Sequence, residues 1–148
     1  MIYYFAYGMN TNLAQMEKRC PDARLIGPAT LDNHRFRFAG CADIVPDNHD
    51  YVDGVLWYCT EECMRALDLL EGYPHFYNCK EVVVVCNDVE YLAEVYYMNP
   101  GMEDNLPSNS YLDMVTEGYR DNGVPLDQID NSLDLLQENN ADLTRYSF

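Results

Sequence analysis

Between Arg24 and Cys59 three β-branched and aromatic stretches follow one another with no helical pattern between them, and this constrains the fold most. The stretches are Arg24 to Leu31, His34 to Val45 and Tyr51 to Cys59, parted by Asp32-Asn33 and by the turn-rich PDNHD. Strands in series with few β-α-β alternations point to an α+β chain whose sheet is largely antiparallel or barrel-like. The flanking segments agree. Residues 2–6 (IYYFA) read as a strand that enters a turn at Gly8 and Asn10. Asn12 to Arg19, with Leu13, Met16 and a basic end before Pro21, reads as a short helix.

Further along, Thr60 is placed to cap a helix whose first turn carries Glu61 and Glu62. Met64, Leu67 and Leu70 keep the helical period, and Gly72 supplies the stop. Tyr77 to Cys86 and Glu90 to Met98 predict a hairpin turning at Asn87-Asp88. Ser108 caps a helix bearing Tyr111, Leu112, Val115 and Tyr119, and Pro125 opens a last helix with Leu126, Ile129, Leu133 and Leu136. At 148 residues one domain, 1–148, accommodates all of this, since such a length buries one sizeable core but hardly two.

Charge narrows the function. A formal charge of −16 with nine basic residues opposes nucleic acid and anionic membranes, both of which need clustered Lys and Arg. Ten of the acidic residues lie from Glu103 onward, against two arginines. No apolar run approaches the ~20 residues that span a bilayer, and MIYYFAYG lacks the basic flank of a signal peptide, so a cytoplasmic protein is expected. The six cysteines form no CxxC pair, and buried free thiols are favoured over disulfides. Cys59-x3-Cys63 could be half of a metal site completed by His34, His49 or His75, but no second half has matching spacing. No Rossmann or P-loop glycine pattern is present.

Two places break local rules. At Tyr7-Gly8-Met9-Asn10, glycine permits a positive φ, so that successive N–H groups could turn inward as an anion cradle without any Lys or Arg. On pattern alone, an ordinary strand–helix connector is the favoured reading. Glu71 ends a helix, where the dipole and neighbouring Leu69, Leu70, Tyr73 and Phe76 would raise its pKa toward the range of proton transfer. By itself a solvent-facing helix end is favoured there too. Asp68 reads as a local partner, not as half of a dyad.

These same residues carry a resemblance. YFAYGMN resembles the YFAYGSN signature of the γ-glutamylcyclotransferase-like (AIG2-like) family. LDLLEGYPHFY is similar to that family's LDxxEGxPxxY, PSNSYLDMVTEGY to its PSxxYLxxIxxGA, and GPATL and GVLWY are weaker matches in the same order. The resemblance implies a small mixed β-barrel or curled sheet with packed helices. It also implies an activity: the α-amine of a γ-glutamyl group attacks its own γ-carbonyl, giving 5-oxoproline and a free amine or amino acid. Glu71 would then be the catalytic base and acid. Tyr7, Gly8, Met9 and Asn10 would bind substrate through their backbone, joined by Tyr77 and Tyr111. The implied substrate is a small γ-glutamyl compound, with no metal or organic cofactor. The chain departs from the family pattern at Met9, which replaces a serine, at Cys79, where a basic residue is frequent and Lys80 follows, and at Gly118-Tyr119 in place of glycine-alanine. Met9 and the acidic C-terminal third motivate an alternative, a non-catalytic binding protein of the same fold. A metal-dependent hydrolase using the cysteines and histidines is a third reading.

Overall fold

The computed structural model describes the backbone of residues 1–146 and side-chain environments through residue 138. Five strands close into a barrel in the order β1-β3-β2-β4-β5. They span β1 (Ile2–Ala6), β2 (Arg24–Ala39), β3 (Cys41–Cys59), β4 (Tyr77–Cys86) and β5 (Val89–Met98). All neighbours run antiparallel except β1 and β5, which close the barrel in parallel at Tyr4 and Glu94. The closed barrel encloses one apolar core, with Phe5, Phe38, Val52, Val55, Leu56, Val84 and Val95 nearly inaccessible. Four helices accompany the barrel: α1 (Leu13–Arg19), α2 (Glu61–Leu70), α3 (Asn109–Asp121) and α4 (Asp127–Tyr146). None among the described residues is long and apolar enough to cross a membrane.

Two boundaries differ from the expectation. His34 to Val45 is no single strand: the chain reverses at Gly40, whose φ of 77° suits glycine, and Ala39 pairs with Cys41. Nor does Asp32-Asn33 end a strand. There the ladder passes from Asp32–Tyr51 to His34–Pro46, so Asn33 alone opposes the four residues Asp47 to Asp50, and β2 continues through the break. The β4–β5 hairpin turns at Asn87 and Asp88, both left-handed (φ 51° and 63°), as a short turn between right-twisted strands demands.

The helix that carries Glu71 is specified locally. The Thr60 side chain accepts from the Cys63 N–H, and Cys63, Met64 and Leu67 form the buried face of α2. At its other end Gly72 takes a φ of 66°. The Gly72 N–H reaches the Leu69 carbonyl at 3.3 Å and the Tyr73 N–H the Asp68 carbonyl at 2.9 Å. This paired closure satisfies the last carbonyls and stops the helix at Glu71.

α3 fixes the segment after β1. Residues Met9–Thr11 form one 3₁₀ turn, followed by Asn12, whose side chain caps α1 through the Gln15 N–H. The Asn12 amide also donates to the Met114 carbonyl at 2.9 Å, and Asn122 donates to the Thr11 carbonyl at 2.9 Å. Gly118 allows this approach, because a Cβ there would meet Asn12 N at 2.6 Å and the Thr11 carbonyl carbon at 2.7 Å. On another side of the barrel, Gln128 of α4 exchanges hydrogen bonds with the Asp53 backbone, and Ser132 reaches the Phe36 carbonyl.

Candidate active site

A cavity of about 270 Å³ opens where the end of β1, the end of α2 and the start of β4 meet. Tyr7, Gly8, Met9, Asn10, Glu71, Tyr77 and Tyr111 all line it. The loop after β1 and the residue after α2 are thus brought together across more than sixty positions of sequence. Arg19, Tyr4, Tyr96, Cys41 and Ala42 also border it.

Burial pushes the Glu71 carboxyl up to about 7, while the Arg19 charge and the Asn10 hydrogen bond pull it down. Burial is therefore the larger effect. The apolar cover is not the one expected. Leu69 and Tyr73 are exposed and stand outside the cavity, whereas Leu70 and Phe76 border it with the tyrosines of the barrel mouth. A carboxyl that titrates close to neutrality can accept a proton and return it without a large driving-force penalty in either direction.

Around the carboxyl, polar groups are oriented by hydrogen bonds with defined direction. The Asn10 amide N–H donates to the Tyr4 hydroxyl at 3.0 Å and to Glu71 Oε1 at 3.4 Å. Its amide oxygen accepts from Arg19 Nη1 at 2.6 Å, and its carbonyl accepts from Trp57 Nε1 at 3.0 Å. Among the described residues the N–H groups of Gly8, Met9 and Asn10 have no acceptor, which leaves three backbone donors on the cavity lining. Gly8 does not reach this arrangement through a positive φ. Its φ is −120°, and its lack of a side chain serves close approach, since a Cβ would lie 3.1 Å from both Ala42 Cβ and the Tyr111 hydroxyl.

The tyrosines divide by what their hydroxyls have left to offer. Tyr77 donates to the Ala42 carbonyl at 2.6 Å and keeps only acceptor capacity. Tyr111 accepts from the Ala42 N–H at 3.0 Å, and its own proton has no acceptor among the described residues. Tyr7 donates to the Tyr96 carbonyl at 2.6 Å, while its own carbonyl accepts from Tyr119. Burial raises the pKa of Tyr77 and Tyr111, and the Glu71 charge adds to it, so both stay protonated at neutral pH. The Ala42 backbone on which they meet is braced by its neighbour Asp43. That buried carboxylate accepts from Arg37 Nε and from the Met98 N–H, each at 2.8 Å.

Arg19 was not among the residues expected here, and it corrects the expectation of a cradle without any Lys or Arg. Its only sequence signal was a basic end to a short helix, which also serves the helix dipole. The cysteines are free thiols, four of them buried, and Cys20 Sγ donates to the Cys63 carbonyl. Among the described residues no three His, Cys, Asp or Glu side chains converge as a metal site would require. A second cavity, of about 200 Å³, lies between β2, β3 and α4. Both arginines on its lining are held by carboxylates, Arg37 by Asp43 and Asp104 and Arg35 by Asp47 at 3.7 Å, and its Asp53 carboxyl accepts from the Thr30 hydroxyl.

Comparison with known proteins places this geometry. A model of the family "Gamma-glutamyl cyclotransferase, AIG2-like" matches residues 4–117. A gamma-glutamylcyclotransferase of Homo sapiens is 28% identical over 137 residues, covering 84% of this chain and 73% of that protein. A Bos taurus protein of the same name matches with the same identity and coverage, 28% over 137 residues. A solved structure described as a gamma-glutamyl cyclotransferase superposes with a TM-score of 0.80 at 28% identity, over 87% of this chain and 85% of that one. An AIG2-like protein of Mus musculus shares the fold, with a TM-score of 0.61 at 19% identity over 76% of this chain and 82% of that one.

Proposed function

Since this chain belongs to the gamma-glutamyl cyclotransferase, AIG2-like family, we propose that it closes a γ-glutamyl group to 5-oxoproline with Glu71 as proton carrier. The supporting observation is the half-buried Glu71 carboxyl, lifted to about 7, which lines one small cavity together with Gly8, Met9 and Asn10, whose N–H groups have no acceptor among the described residues.

The reaction is intramolecular, so positioning supplies much of the rate once the chain of the substrate is folded back on itself. Ionised Glu71 takes one proton from the α-ammonium. The freed amine attacks the γ-carbonyl, forming the ring C–N bond and placing negative charge on the carbonyl oxygen. The N–H groups of Gly8, Met9 and Asn10 supply donors for that oxygen and for the α-carboxylate. Glu71 returns that proton to the leaving nitrogen as the original C–N bond breaks, then takes the second proton from the ring nitrogen and passes it to the departing amine, which leaves as an ammonium. The products are 5-oxoproline and a free amine or amino acid, and Glu71 ends ionised as it began. Tyr111 adds one hydroxyl proton for a substrate oxygen, and Tyr77 offers an acceptor. Met9 fits this scheme because the donors come from the main chain, and the serine hydroxyl of the family pattern is not needed for them.

Purified protein incubated with a panel of γ-glutamyl amino acids and γ-glutamyl amines should release 5-oxoproline from at least one of them. Free glutamate as the product would instead mean attack by water. Thermal stabilisation by these compounds without any product would mean binding without catalysis. Either result overturns the reading.

A further inference from the structure

The contact of Arg19 with Asn10 has a directional consequence. An asparagine amide has nearly the same shape in two orientations, and only its partners decide which end carries the oxygen. A guanidinium has donors and no acceptor. Arg19 Nη1, 2.6 Å away, therefore demands the oxygen, and the amide N–H₂ must face Tyr4 and Glu71. The Trp57 bond to the Asn10 carbonyl pins the backbone, and Asn10 is only 3% exposed, so the amide has little room to choose another partner. With Arg19 gone, the flipped amide would set its oxygen against the Glu71 carboxylate, an arrangement that repels the ionised form.

We propose that Arg19 is a positioning residue for the reaction: by holding the Asn10 amide oxygen it aims the amide N–H at Glu71 and keeps that carboxylate ready to accept a proton. This rests on the cyclotransferase reading for its catalytic meaning. The other titratable groups facing Glu71 are Tyr4 of β1, Tyr7 just after it, Cys41 of β3, Tyr77 of β4 and Tyr111 of α3. Each is pushed toward its neutral, protonated form by burial, so Arg19 supplies the positive charge in this shell. On the helix of Glu71 itself, Asp68 is turned away and accepts from Tyr96.

The test follows the Glu71 side-chain carboxyl by ¹³C NMR titration in ligand-free protein, assigned with Glu71→Gln, beside the pH profile of kcat. Arg19→Met should move the titration and the acidic limb of kcat upward by about one pH unit, with KM changed less than about threefold, roughly 0.6 kcal/mol. Arg19→Lys, also a donor without an acceptor, should bring the titration most of the way back to the wild-type position. In an Asn10→Ala background the shift caused by Arg19→Met should fall by about half or more, the coupling expected of residues acting as a unit. Asn10→Ser replaces Asn10→Ala if thermal melting shows that the latter does not fold. An unmoved titration with KM raised about tenfold, near 1.4 kcal/mol, would make Arg19 a substrate anchor and overturn the proposal. An equal shift with and without the Asn10 amide would also overturn it, leaving Arg19 as a plain charge. Lack of 5-oxoproline release by the wild type would sink the cyclotransferase reading separately, because the carboxyl titration needs no turnover.

Discussion

Glu71→Gln should make the protein more stable above neutrality while it removes the carboxyl proposed to carry the proton. Burial lifts this group from 4.5 to about 7. Between those values the unfolded chain has released the proton and the folded chain still holds it. Folding therefore takes up a proton in this window, and native stability falls as pH rises through it. Above pH 7 the loss is complete. A displacement of that size corresponds to about 3 kcal/mol, which water at the open side of the cavity reduces to about 1–2 kcal/mol. Glutamine is uncharged in both states, and its amide oxygen can still accept from the Asn10 N–H. Urea unfolding of both proteins at several pH values isolates the group, since every other titration cancels in the difference. The variant should gain little near pH 4.5, the value in the absence of burial. The gain should reach about 1–2 kcal/mol above neutrality. A gap that does not grow with pH, or a variant less stable than the wild type at high pH, would refute the reasoning.

Three further substitutions test the supports of the site. Gly118→Ala adds a Cβ that would meet main-chain atoms of Thr11 and Asn12, which cannot swing aside; it should cost about 1–3 kcal/mol in urea unfolding despite a better helix propensity, and lower 5-oxoproline release by displacing the 3₁₀ turn. Asp43→Ala strips a 1% exposed carboxylate from Arg37 and from the Met98 N–H; a loss of about 3–5 kcal/mol is expected by denaturation. Tyr111→Phe leaves the Ala42 N–H without its acceptor and removes the free hydroxyl proton from the cavity; about 1–3 kcal/mol of stability should go, and kcat/KM should fall more than in Tyr77→Phe, which removes only acceptor capacity from the cavity.

What could be read from the sequence was what neighbouring residues decide. Thr60 and Gly72 bracket α2 because a cap and a left-handed stop act within one turn, and that placed Glu71 at the helix end without any tertiary knowledge. Asn87 and Asp88 mark their hairpin for the same reason. Gly40 was missed because Ala39-Gly40-Cys41 sits inside an unbroken apolar and aromatic stretch, so no polar pair announces the reversal. The site itself was legible only in part. Burial of Glu71 comes from the barrel mouth, assembled from β1, β4, β5 and α3, with Leu70 and Phe76, and not from Leu69 and Tyr73. Arg19 escaped because its partner Asn10 faces it across the short α1, and its effect on Glu71 exists only after α2 has docked. Gly8 was expected to be left-handed, but its φ is −120°, and its lack of a side chain lets Ala42 and Tyr111 approach.

The central claim is that one carboxyl, Glu71, carries the proton from the α-ammonium to the leaving nitrogen. The most direct test compares 5-oxoproline release by the wild type and Glu71→Gln from the best γ-glutamyl substrate of the panel, with both proteins shown folded by circular dichroism. The account predicts a fall in kcat of about 10²–10⁴-fold together with a stable, correctly folded variant. A folded Glu71→Gln protein that keeps kcat within about threefold of the wild type, roughly 0.6 kcal/mol in the barrier, would contradict it.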